Sequence, residues 1–265
     1  MRPCVFHRLY IFVLATIVAS IVLCFIVVER NREHEYWETR DFCLVAHSVL
    51  RQARDTRLPG NTVYTDGDLP LYSWRFETHL VTDPVHDLSG LPEAAGFPWD
   101  SANQKQISQS GYGRFFRNGN SRFATIFALE GNGCAFVPRQ RWADGGFERR
   151  RKVEDLPKCL IFIVQVRQRV IEWNQPGDCR ISDLLQAKEG MTIGSNPMFQ
   201  GPILVGFVDG TVWRLRASLP VSLLAKFGTI EGAKGSDRNA EIGPYVITRV
   251  STNNTGEDDA QASGK

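Results

Sequence analysis

LYIFVLATIVASIVLCFIVV, residues 9–28, runs for twenty positions without a charged side chain. As a helix it is ~30 Å long, the thickness of a bilayer's hydrocarbon core. A charge at mid-bilayer is costly, so the absence of one over this length reads as a transmembrane helix. The run ends abruptly at Glu29-Arg30-Asn31-Arg32-Glu33. A cleaved signal peptide has a shorter apolar core of roughly 7–15 residues and a small-x-small cleavage site. This run instead ends in Ile26-Val27-Val28, and Leu23 is too bulky for the lipoprotein-like Ile21-Val22-Leu23-Cys24. The expectation is an uncleaved anchor. Arg2, Arg8 and the terminal amine precede it, while Arg30 and Arg32 follow it. This modest bias sets residues 1–8 in the cytoplasm and the body outside it.

Working outward, residues 29–58 read as a helical spine. Phe42, Val45, Ala46, Val49 and Ala53 form one apolar stripe at helical spacing, and Leu58-Pro59-Gly60 stops it. No Pro or Gly interrupts Leu9–Leu58. The two helices are therefore either one rod of ~75 Å or a pair joined near Arg30–Glu35.

From residue 59 to 250 the texture changes to short strands and turns. LYSWRFETHL (71–80) fits strand or helix, whereas RFATIFAL (122–129) and LIFIVQV (160–166) are β-rich. Ile203–Val208 and Thr211–Leu215 flank Asp209-Gly210, a hairpin signal predicting a two-residue type I′ turn with Val205, Phe207, Val212 and Leu215 on its faces. A short helix over Pro220–Phe227 is expected, capped by Ser218 and stopped by Gly228, and Tyr245–Val250 is the last strand candidate. The polar, acid-tipped stretch 251–265 reads as a disordered tail. The predicted class is α+β: a transmembrane helix continuing into a long helix packed on an antiparallel sheet.

Residues 1–28 hold two bases and no acid, which leaves 29 bases against 29 acids in the other 237 residues. A balanced body has no global field to attract nucleic acid, so none is expected as a partner. No G-x-S-x-G elbow, Walker A loop, H-E-x-x-H or G-x-G-x-x-G occurs, and no catalytic, cofactor or metal site is assigned. His79, Asp83, His86 and Asp87 are the only dense cluster of potential ligands, and they read as a solvated loop because Pro84 breaks any shared helix face. Asp66-Gly67-Asp68 reads as a turn, since Pro70 spoils a calcium loop. The bases of ERRRKVED (148–155) read as a locally compensated run rather than a phosphate site. Cys43, Cys134, Cys159 and Cys179 lie in the body; they are either buried thiols or disulfide partners, with Cys159 and Cys179 the candidate pair.

Five segments in order carry a resemblance: Cys43-Leu44-Val45-Ala46-His47 within a helix, Ser73-Trp74-Arg75, Phe97-Pro98-Trp99-Asp100-Ser101-Ala102-Asn103, Gly131-Asn132-Gly133-Cys134-Ala135-Phe136, and Ile171-Glu172-Trp173-Asn174-Gln175-Pro176-Gly177-Asp178. Together they resemble the planctomycete family carrying the domain of unknown function 1559, whose members look like type IV pilins or pseudopilins. The resemblance implies a membrane helix leading into an extracytoplasmic α+β domain. Two departures stand out. The family often shows His, nine residues, then Asp-Gly, and here that His position is Phe199 before Asp209-Gly210. The prepilin cleavage motif is replaced by Arg8-Leu9-Tyr10-Ile11. Trp74, Trp99, Asp100, Gly133, Trp173, Asp209 and Gly210 are read as structural motif residues, with the two tryptophans of the earlier segments as apolar anchors and Asp100 as a helix cap.

The expected role is structural or interactive at the cell envelope, with the lipid bilayer and other envelope or pilin-like proteins as partners. Two rivals are an extracytoplasmic glycan- or small-ligand-binding module with Trp142 or Trp173 as an exposed platform, and a membrane-anchored hydrolase.

Overall fold

The computed structural model describes residues 3–54, 57–59, 62–64, 70–82, 97–109, 116, 123–137 and 150–251. The chain divides into two compact units, Met1–Arg40 and Asp41–Lys265. Helix α1 (Pro3–Arg54) runs without a break for 52 residues, so the alternative of a joint near Arg30–Glu35 falls away.

In the first unit, side chains are described from Thr16 onward. Ile21 and Phe25 are 63% and 69% exposed. Tyr36 and Trp37 meet edge to face at 5.4 Å, and the Arg40 guanidinium lies 5.0 Å from the Trp37 ring. Among the described residues no helix is long and apolar enough to cross a membrane. The side chains of Leu9–Ala15, the first part of the apolar run, lie outside the described residues.

In the second unit, Phe42, Val45, Ala46, Val49 and Ala53 are all buried and join the hydrophobic core, as their spacing predicts. Strands β1 (Thr62–Tyr64) and β2 (Pro70–Ser73) form a small antiparallel sheet. Helix α2 (Trp74–Thr82) follows directly. The ambiguous segment 71–80 is thus both strand and helix, and the switch has a local cause: Ser73 Oγ accepts from Arg75 N at 3.2 Å and caps the new helix. Helix α3 (Ala102–Gln109) is next.

The main sheet has six strands in the order β5-β3-β4-β6-β7-β8: β3 (Ile126–Glu130), β4 (Ile161–Gln165), β5 (Cys179–Arg180), β6 (Ile203–Phe207), β7 (Thr211–Leu215) and β8 (Val246–Ser251). It is mixed rather than wholly antiparallel, because β5 pairs parallel to β3 through Leu129–Cys179 and Glu130–Arg180. Strands β3, β4 and β6 are buried at every position, so they read as continuous apolar runs. Helices α4 (Ile181–Leu185), α5 (Val221–Phe227), α6 (Ile230–Ala233) and α7 (Arg238–Glu241) also belong to this unit. Ser218 does not cap α5; Pro220 takes the cap position without a side-chain bond. Of the expected disordered tail 251–265, Ser251 instead closes β8, and 252–265 lie outside the described residues.

The β6–β7 hairpin forms where Asp209-Gly210 predicts it, but with a different turn. Gly210 N donates to Phe207 O at 2.9 Å and Gly210 has φ +86, whereas Asp209 does not have positive φ. The loop is therefore the three-residue Val208-Asp209-Gly210, a turn followed by one left-handed residue, and not a type I′ turn. Gly210→Val is expected to lower stability by about 1–3 kcal/mol. In thermal unfolding each kcal/mol corresponds to roughly 2–4 °C for a domain of this size. Gly210→Asn should lose less, because Asn tolerates the left-handed region. Equal melting temperatures for Gly210→Val and the natural chain would contradict this turn.

Candidate functional site

Three of the segments that carry the sequence resemblance, 73–75, 131–136 and 171–178, meet around a buried arginine and aspartate. Arg75, in the first turn of α2, is fully buried. Its Nε donates to Trp173 O at 2.8 Å. Its Nη1 donates to Asp178 Oδ1 at 3.0 Å and reaches Ile126 O at 3.5 Å. Its Nη2 donates to Gln175 O at 2.8 Å and to Gly177 O at 3.1 Å. The five N–H groups of the fork thus have five acceptors. The guanidinium also lies 5.0 Å from the Phe127 ring. Burial pushes the Arg75 pKa down, and the Asp178 carboxylate opposes that shift.

Asp178 Oδ1 accepts three donors: Trp74 Nε1 at 2.9 Å, Arg75 Nη1 at 3.0 Å and Ala128 N at 2.9 Å. The last of these ties the loop 173–178 to strand β3. Arg169 Nη1 donates to the Asp178 backbone oxygen, and its guanidinium lies 5.3 Å from the Phe127 ring. Ser73 adds two further bonds across the same junction, N to Asn174 O at 3.0 Å and Oγ to Trp173 O at 3.2 Å.

Trp173 is fully buried, stacked with Phe76 at 5.9 Å and Phe116 at 6.2 Å, with His79 edge-on at 5.4 Å. Among the described residues its Nε1 has no hydrogen-bond partner. Trp74 meets Phe116 at 5.8 Å and Phe136 at 5.5 Å, which brings in the glycine turn 131–136. Asn174 Nδ2 donates to Gln104 O at 3.1 Å and Gln104 Oε1 at 2.8 Å, which docks α3.

Several sequence expectations change in detail. Ser101, not Asp100, caps α3, because Gln104 N donates to Ser101 Oγ at 3.3 Å and Asp100 is exposed. Trp99 is half-buried in the turn before α3, unlike the fully buried Trp74 and Trp173. Gly133 has φ +84 and its carbonyl accepts from Ile230 N at 2.6 Å, consistent with a turn role. Gly131, which the sequence reading did not single out, is the tighter site, since a Cβ there would stand 2.4 Å from Ile181 Cγ2.

Asp209 and Gly210 lie apart from this centre. Asp209 Oδ1 accepts from Thr211 N at 3.0 Å and Thr211 Oγ1 at 2.6 Å, and Oδ2 pairs with Arg238 Nη2 at 2.8 Å. Burial alone would raise the Asp209 pKa, but these hydrogen bonds outweigh it and hold the carboxyl below its ordinary value. The Arg238 guanidinium lies 4.4 Å from the Phe207 ring and 4.5 Å from Trp213, so one arginine fastens α7 to the hairpin.

Cys159 and Cys179 are separate thiols rather than a disulfide. Cys159 Sγ donates to Ala233 O at 3.2 Å, whereas Cys179 Sγ lies 3.5 Å from Met198 Sδ. Cys43, Cys134 and Cys179 are buried, and burial pushes their pKa values up to about 11, 12 and 12. They are neutral thiols near pH 7, poor as nucleophiles or metal ligands.

Of the described cations of the run ERRRKVED, two bond to the rest of the domain and one pairs within the run. Arg150 pairs with Glu77 at 3.3 Å, Arg151 Nε donates to Cys134 O at 2.8 Å, and Lys152 pairs with Glu154 at 3.1 Å. Asp66–Asp68, Asp83, His86, Asp87 and Trp142 lie outside the described residues. Among the described residues no three His, Cys, Asp or Glu are grouped to hold a metal ion. Trp173, named as a glycan platform, is sealed in the core and cannot serve as one.

No protein-family model, curated protein or solved structure matches the chain. The functional reading therefore rests on the sequence motifs and on this geometry.

The sequence singles out Trp74 and Trp173 but not the Arg75–Asp178 pair that joins their segments. One signal was present: Arg75 stands between two aromatics, Trp74 and Phe76, where a solvent-facing arginine is out of place.

Proposed function

We propose that this chain is a membrane-anchored, pilin-like protein of the cell envelope with a structural or interaction role and no catalysis. The observation that carries this reading is the burial of the residues that join two of the shared motifs, 73–75 and 171–178. Trp74, Arg75, Trp173 and Asp178 are shut away from solvent, and the Arg75 fork is fully occupied by Asp178 and four backbone carbonyls. A reaction centre needs a face open to substrate, whereas this one joins chain segments. The uncharged run Leu9–Val28 supports anchoring, as do the exposed apolar side chains over its second half.

Topology is testable directly. A periplasmic-type reporter fused after Lys265 is expected to be active, with a cytoplasmic-type reporter silent at the same place. The reverse result would overturn the orientation. Intact mass from purified membranes is expected to include residues 9–28, because the prepilin motif is missing. A mature N-terminus near Glu29 would show that the run is a signal peptide. Cross-linking in intact membranes tests the role itself: recovered envelope proteins support it, and turnover of a small substrate by the purified chain would refute it.

A further inference from the structure

Beyond the apolar run, the first unit continues as helix α1 from Glu29 to Arg40. Arg30, Glu33, Trp37 and Arg40 stand there at i, i+3, i+7 and i+10, one face of a helix, and Tyr36 borders them. All five are exposed, Tyr36 at 58% and Trp37 at 49%. Part of the face is already arranged. Tyr36 stands edge-on to Trp37 at 5.4 Å, and the Arg40 guanidinium lies over the Trp37 ring at 5.0 Å. Among the described residues Arg32 pairs with Glu29, while Arg30 and Glu33 enter no ion pair. No Ala, Val, Ile, Leu, Met or Phe occurs in 29–40, so two large aromatic rings sit on an otherwise polar helix.

We infer that this face rests on the phospholipid headgroups of the leaflet from which α1 emerges, with Tyr36 and Trp37 seated among them, Arg30 and Arg40 donating to phosphate oxygens and Glu33 meeting the ammonium of a zwitterionic lipid. The inference rests on the membrane anchoring proposed above. Its chemistry follows from the side chains. Tyr and Trp have an apolar body and a polar tip, which suits the boundary between hydrocarbon and water. A guanidinium binds phosphate with two parallel N–H bonds. A face with both signs of charge matches a headgroup that also carries both.

The distances then fix a direction of tilt. Trp37 lies nine residues past Val28 on an unbroken helix, ~13.5 Å along its axis. The headgroup layer is only about 5–7 Å deep on each side of the hydrocarbon. An upright helix would hold the indole above that layer. A tilt of ~30°, inside the ordinary range of ~0–40°, lowers the ring to ~9 Å when this face points down. Helical side chains lean back toward the N-terminus, which removes a further ~2–3 Å and brings the ring to the headgroups. Interfacial Trp, Tyr and Arg are themselves among the groups that set such a tilt. A second copy of α1 is a poor occupant here, because residues 29–40 offer no apolar heptad positions for a coiled-coil seam.

The test uses the full chain in phosphatidylcholine vesicles. Flotation with the vesicles is measured first, and fluorescence second. The Trp37 signal is the difference between the natural chain and Trp37→Phe, which cancels the other tryptophans. Lipid with a nitroxide on the headgroup is expected to quench that difference ~2-fold, and lipid brominated deep in the acyl chains to leave it nearly unchanged. Arg40→Asp, an exposed change, should relieve the headgroup quenching, since a carboxylate repels phosphate. A chain that floats without headgroup quenching at Trp37 overturns the inference and leaves the anchor standing. Stronger quenching by the brominated chains overturns it too, by placing the ring in hydrocarbon. A Trp37 signal that changes with the ratio of protein to lipid, and not with the nitroxide, assigns the face to a second copy. Quenching undiminished in Arg40→Asp removes the phosphate contact from the proposal. Failure to float refutes the anchoring itself, and this inference with it.

Discussion

Asp178→Ala is expected to cost about 3–5 kcal/mol, the usual penalty for leaving a buried charge without its partner. The variant strands Arg75 in the core and removes the acceptor of Trp74 Nε1 and Ala128 N. A domain of ordinary stability, about 5–15 kcal/mol, would be left marginal or unfolded. Chemical denaturation of the full chain measures this. The companion variant Arg75→Met/Asp178→Leu tests what the centre is for. If charge neutrality were its only contribution, an apolar pair would restore stability. Arg75 also serves the carbonyls of Trp173, Gln175, Gly177 and Ile126. The double variant should therefore regain less than half of the loss. A loss under ~1 kcal/mol for Asp178→Ala, the size of an exposed pair, would remove the centre from its structural role.

Trp173→Ala is the second large effect, about 3–5 kcal/mol for emptying a packed aromatic site. The informative comparison is between two milder changes. Trp173 Nε1 has no partner among the described residues, so Trp173→Phe loses volume but no hydrogen bond. Trp74 Nε1 donates to Asp178, so Trp74→Phe takes away a donor from a buried carboxylate. Trp74→Phe should therefore destabilise more than Trp173→Phe, measured by denaturation midpoints at equal slope. The opposite order would mean that packing alone sets both costs. A glycan platform at Trp173 would predict lost binding with an intact fold, which its burial argues against.

The parts of this fold legible in the sequence are those with a local cause. The stripe from Phe42 to Ala53 repeats at helical spacing, and Asp209-Gly210 marks a hairpin whose strands pair from Gly206–Val212 outward. The turn type was not legible, because Gly210 needs positive φ in either geometry and only the backbone tells which. Segment 71–80 was ambiguous because it holds two elements joined at the Ser73 cap, and periodicity averages over such a switch. Strand β5 left no signal; two residues carry no period, and its parallel pairing is imposed by the loop that delivers Asp178. The Arg75–Asp178 pair was invisible for a different reason. Its members stand 103 residues apart, and nothing in either neighbourhood names the other.

That separation bears on time as well as on contacts. Closing a loop of ~100 residues costs about 4 kcal/mol of chain entropy by the (3/2)RT ln n estimate. No part of the Arg75 cradle except Ile126 O exists until the 173–178 loop has been made. At 5–20 residues per second, roughly 5–20 s of synthesis separate α2 from that loop. Throughout that interval Trp74 and Phe76 have no Trp173 segment to close over them. A newborn chain thus carries Trp74 and Phe76 without that segment for seconds, long enough for a holding chaperone to engage them.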